Sequence, residues 1–176
     1  TNPTRRYGFL LVDKYSMIAV SSAIEPLRMA NRLSNSNLYE WPVFTLDGQP
    51  IPASNGLMIT PNSSLEEAKN LDALFICAGV DVAGVYTKQL QAALHKTARQ
   101  KIKLGGLCTG TYLLARAGLL DGYKCTIHWE NMASMREDFP QVLINDELFE
   151  LDRDRYTCAG GSAPPVSYTH LTLPTI

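Results

Sequence analysis

A chain of 176 residues, 45% hydrophobic and 19% charged, is long enough for one domain that buries about two-thirds of its unfolded surface. Lys plus Arg number 16 and Asp plus Glu 17, a balance that gives neither the basic face a nucleic-acid binder needs nor a polybasic membrane anchor. The sequence has no apolar run near 18 residues and no signal-peptide pattern, and it opens without Met, as a trimmed or engineered segment does. A cytoplasmic protein with no membrane partner is expected.

Residues 7–12 (YGFLLV) form a nearly continuous apolar run, the mark of a strand buried on both faces. Residues 16–33 then read as a helix whose stripe is Met17, Val20, Ile24 and Leu27, with Pro26 expected to kink it or to begin its second part. Residues 41–46 are a second strand, DGQPIPASNG is rich in turn residues, and NSSLEE at 62–67 carries a helix-start signature. A buried strand at 73–78, a helix at 87–100, a strand at Lys103–Leu107 and a helix at 109–118 follow. A short strand at 125–128 leads to a helix at 130–138 that Pro140 ends. The stretch QVLINDELFELDRDRYTCAG alternates as two or three strands with DRDR as a turn. Strands alternating with helices indicate an α/β domain with a mostly parallel sheet.

In such sheets ligands bind beyond the carboxyl ends of strands, which singles out Gly79 and Cys108. Cys108, in GGLCTGTYLL, sits where a strand turns into a helix, so the helix's positive end and a tight elbow with Gly106 and Gly110 on either side would favour a thiolate. His128, in TIHWE, falls on the same rim and could act as base. Glu25, in an otherwise apolar helical stretch, needs a partner and could orient the pair. Each has a plainer reading. Cys108 can be a small hydrophobe in a tight bend, His128 a histidine bonded to a carbonyl, and Glu25 the partner of Arg28 one turn on. His95 reads as solvated, and Trp41 and Trp129 as packing residues rather than a cage for a cation. The four cysteines lie far apart without a C-x-x-C pair, so reduced thiols are expected rather than disulfides, and no metal or other cofactor is implied.

GGLCTGTYLLARAGLLDGYKCTIHWE resembles the signature of the ThiJ/PfpI, or class I glutamine amidotransferase-like, superfamily. Its C-T-G, L-A-x-A-G-L-L-D-G and T-x-H-W blocks are similar to the N-terminal sensor domains of AraC-family transcription regulators, as are GFLLVDKYSMIAVSSAIEPLRMANRL, LYEWPVFTLDG and ASNGLMI. The resemblance covers residues 5–162 and implies a flavodoxin-like three-layer α/β sandwich, usually a homodimer. Glu25, Cys108 and His128 match the acid, elbow nucleophile and histidine of the superfamily's enzymes. Gly79 matches a loop whose N–H lines an oxyanion-type pocket with that of Thr109.

The resemblance implies, first, a sensor that binds a small nitrogenous effector, an amino acid or a quaternary amine, to control a catabolic operon. Its ligand would be lined by Gly79, Val80, Cys108, Thr109, His128, Trp129 and Glu25. DNA would be bound only through a C-terminal helix-turn-helix domain, which nothing in this sequence resembles. The alternative is a cysteine-dependent peptidase, amidase, hydratase or glyoxalase-like enzyme using Cys108, His128 and Glu25; HWE at 128–130 also reads as H-x-E, although it follows the elbow sooner than an amidotransferase pattern has it. A third reading is redox sensing through oxidation of Cys108. Residues 163–176 read as cloning-derived sequence, and His170 is left out of the functional set.

Overall fold

The computed structural model describes residues 3–160, so the tail at 163–176 and His170 lie outside the described residues. Ten strands occur in chain order among the described residues: β1 (Arg5–Leu11), β2 (Tyr39–Glu40), β3 (Val43–Thr45), β4 (Ser63–Ser64), β5 (Ala73–Cys77), β6 (Lys103–Leu107), β7 (Lys124–Cys125), β8 (Leu143–Ile144), β9 (Phe149–Asp152) and β10 (Arg155–Cys158). Four α-helices join them: α1 (Met17–Ser34), α2 (Lys88–Ala98), α3 (Gly110–Arg116) and α4 (Met132–Asp138).

The main sheet runs β4-β3-β1-β5-β6-β10-β9, with β2 also paired to β1. Every pairing in it is parallel except β9 with β10. Alternate residues of the central strands therefore feed two cores. Phe9, Leu11, Phe75 and Cys77 pack with Ala19, Val20, Ala23 and Leu27 of α1. Leu10, Leu74 and Ile76 pack on the other face with Leu90 and Leu94 of α2, Leu113 and Leu114 of α3 and Met135 of α4. The result is the expected three-layer α/β sandwich, with α1 on one face and α2, α3 and α4 on the other.

Several elements differ from expectation. The strand expected at 41–46 is shorter, β3 at Val43–Thr45, and a separate β2 at Tyr39–Glu40 precedes Pro42, whose carbonyl accepts from the Phe9 N–H. Residues 62–67 form β4 and one 3-10 turn, Leu65–Glu67, because Ser63 and Ser64 are drawn into register with Phe44 and Thr45. Pro26 lies inside α1 without interrupting it. The strand expected at 125–128 stops at Cys125, since Thr126 turns its N–H to Thr157 Oγ1 and its hydroxyl to the Glu147 carbonyl; β7 pairs with β8 in a separate two-stranded sheet. A 3-10 turn, Trp129–Asn131, precedes α4. The DRDR turn closes β9 onto β10, with Arg153 in left-handed backbone. His95 is half-buried rather than simply solvated: its Nε2 lies 2.7 Å from the Ala117 carbonyl, tying α2 to the end of α3.

Candidate functional site

Cys108 stands where β6 ends, in the middle of the sheet, with β5 and β10 on either side placing Cys77 and Cys158 opposite Leu107. The chain must then reverse into α3, and Cys108 takes a left-handed conformation with φ 58°, which costs a non-glycine residue about 1–2 kcal/mol. Glycines make the turn possible. A Cβ at Gly110 would overlap the Ile76 carbonyl, and one at Gly106 would crowd Thr111. Gly79, after β5, is equally constrained, because a Cβ there would overlap the Lys14 carbonyl oxygen. The Thr109 hydroxyl donates to the Gly79 carbonyl over 2.6 Å, joining the two loops. A Cβ at Gly160 would stand 3.4 Å from Cys108 Sγ, so the chain returns to the elbow after β10.

The structure thus brings Gly79, Cys108 and Thr109 together. Val80 is exposed at the rim. His128 is half-buried, and its ring stacks on Trp129 with centroids 5.8 Å apart. Its Nδ1 accepts from the Glu130 N–H at 3.4 Å, and among the described residues no hydrogen bond joins it to Cys108. Trp129 is not a packing residue: it is 74% exposed, whereas Trp41 is half-buried against the α1 core.

Glu25 is the clear departure. It is exposed and accepts from Arg28 Nε at 2.9 Å, and this neighbour holds its carboxyl below the usual carboxylate range. Eight residues into α1, it lies about 12 Å along the axis from the helix start that flanks Gly79. The plainer reading of Glu25 as the partner of Arg28 describes its environment, and the elbow lacks it. Glu130 is the carboxylate whose charge bears on the Cys108 thiol, as the smallest of three influences. Cys108 is 9% exposed, and its thiol is pushed above its ordinary value first by burial, against the opposing hydrogen bond from the Thr109 N–H, and further by the charge of Glu130. The literal H-x-E of residues 128–130 was the sequence signal for it.

This environment keeps the thiol protonated at neutral pH, so the elbow has a nucleophile's backbone without its charge state. Among the described residues no group of three His, Cys, Asp or Glu side chains could hold a metal ion.

The DJ-1/PfpI family model matches residues 9–167. The chain belongs to the DJ-1/PfpI family. Proteins similar to it include transcription regulators. The HTH-type transcriptional regulator GbdR of Pseudomonas aeruginosa is 47% identical over 93% of this chain and 45% of its own length. The HTH-type transcriptional regulator CdhR of the same species is 43% identical over 89% of this chain and 46% of its own. The chain therefore spans about half the length of the curated relatives it matches. The crystal structure of an AraC family transcriptional regulator from Pseudomonas putida superposes with a TM-score of 0.85 at 32% identity, covering 97% of this chain and 91% of that one.

Proposed function

We propose that this chain is the effector-sensing domain of an AraC-type transcription regulator, and that its pocket at the carboxyl end of the sheet binds a small nitrogenous metabolite without turning it over. The observation that carries the reading is at Cys108: the thiol is buried, which raises it above its ordinary value, and among the described residues no hydrogen bond joins it to His128. Catalysis by this cysteine would need the opposite, a thiolate with a base in reach. The regulator relatives support the same reading at the level of the whole protein. In it, Gly79, Val80, Cys108 and Thr109 line the end of the pocket that takes a carboxylate, and His128 and exposed Trp129 meet the amine end, where Trp suits a cation. Glu25 leaves the set. DNA is bound by a further domain of the complete protein, which acts in the cytoplasm as a homodimer on a catabolic operon.

The test is thermal unfolding of the complete regulator against a panel of amino acids and quaternary amines. A true effector raises the melting temperature and is recovered unchanged, since a ligand at 100 times its Kd adds about 2.7 kcal/mol to the native state. A ligand consumed by wild-type protein and left intact by Cys108→Ser would replace the sensor with an enzyme.

A further inference from the structure

The topology contains a second place built for a ligand, away from the elbow. Strands β1 and β5 are neighbours, yet the chain leaves β1 for α1 on one face and β5 for α2 on the other. Adjacent strands whose connections diverge in this way open a crevice beyond their carboxyl ends, where α/β proteins bind ligands. Beside this crevice, beyond the carboxyl ends of β1 and β3 and against the start of α2, lies a cleft of about 460 Å³, within the range of small-molecule sites. Its walls are largely apolar, with Val12 after β1, Leu46 after β3, Ile51, Val85 and Leu90. None of the elbow residues lines it.

Two exposed carboxylates, Asp13 and Asp47, stand among the lining residues, and no lysine or arginine is among them. Lys14, the adjacent cation, is bound to Asp81 at 3.0 Å. The start of α2, capped by Thr87, contributes about half a positive charge, which leaves the cleft with a net charge of about −1.5. Its remaining polar groups, the hydroxyls of Thr45 and Thr87 and the amide of Gln89, can all accept hydrogen bonds. An apolar cavity with a negative, acceptor-rich mouth selects an apolar body carrying a cation that donates hydrogen bonds.

We infer that the cleft between the ends of β1 and β3 and the start of α2 is a second small-molecule site, which takes a primary ammonium group on a compact apolar body. The inference is independent of the proposal for the elbow. It is tested by titrating the isotope-labelled chain with benzylammonium and following its amide resonances, with benzyl alcohol and benzoate as matched probes. Saturable shifts should centre on Asp13, Asp47 and residues 84–89, and both matched probes should bind about tenfold more weakly or worse. Asp13→Asn with Asp47→Asn should weaken benzylammonium by about tenfold while leaving benzyl alcohol unchanged.

Asn at 47 can still accept from the Gln49 N–H, as Asp47 does. Should the double variant misfold, Gly84→Leu serves instead: open space surrounds the position of a Cβ at Gly84, and a larger side chain there obstructs the cleft without touching its charges. No saturable shift, equal binding of benzoate, or indifference to these variants would each overturn the inference. Shifts centred on Gly79 and Cys108 would also overturn it, and would leave the elbow reading standing.

Discussion

At Cys108 two effects of opposite sign meet on one sulfur. The Thr109 N–H favours a thiolate, whereas burial and Glu130 favour the thiol, and burial is the largest of them. Alkylation by iodoacetamide in the native protein should therefore be slow at pH 7 and accelerate only above pH 9, the ordinary value for this thiol. Glu130→Gln removes the exposed carboxylate and should shift that rise to lower pH without restoring full reactivity, because burial remains. Peptide mapping of the alkylated cysteine against pH checks both statements. Rapid labelling of wild-type Cys108 at pH 7 would mean a reactive thiolate and would revive the catalytic and redox readings. The same residue shows how far sequence reaches. The glycines around Cys108 are legible because only glycine fits against the Ile76 carbonyl and Thr111. The sign of the thiol's shift is not, since it depends first on how deeply the packed chain buries the sulfur.

Elements with a single dominant pattern were readable from sequence, and those set by a distant partner were not. Continuous apolar runs marked β1 and β5, because both faces of those strands are covered; the apolar spacing of Leu90, Ala93 and Leu94 marked α2, whose Thr87 cap the structure adds. The stretch 62–67 was misread because β4 exists only through its register with β3, some twenty residues earlier. Glu25 was misplaced although the geometry was available: α1 buries Ala23 and Leu27, and a residue two positions from each lies about 200° around the helix from both, on the outer side. Pro26 belongs to the same helix and carries a prediction. A proline inside a helix costs about 3 kcal/mol, of which its stiffening of the unfolded chain returns at most about 1. Pro26→Ala should therefore stabilise the protein by about 2 kcal/mol, read as a higher urea midpoint with an unchanged slope. A lower midpoint would show that packing of the half-buried ring outweighs the missing backbone hydrogen bond.

For the whole molecule, buried thiols make the sheet sensitive to alkali. Burial pushes the Cys125 thiol from 9.0 up to about 12, and pushes those of Cys77 and Cys108 upward as well. Between pH 9 and about 12 the unfolded chain has lost the Cys125 proton and the folded chain has kept it, and the raised thiols of Cys77 and Cys108 act in the same direction above pH 9. The unfolded state then binds fewer protons, so stability falls as pH rises, by up to about 1.4 kcal/mol per pH unit for each such group. Below pH 9 the thiols are protonated in both states and contribute no slope. Buried Tyr7 and Tyr15, raised above their ordinary 10.0 by desolvation, act in the same direction at higher pH. Urea midpoints measured from pH 7 to 11 with a non-thiol reductant should be flat with respect to thiol ionisation up to about pH 9 and then decline. Cys125→Ala, which removes a group that is 0% exposed, should decline less steeply than wild type across that window while keeping the fold at pH 7. Parallel curves for the two proteins would mean that Cys125 ionises as readily in the folded sheet as in the open chain, through local opening of β7 rather than global unfolding.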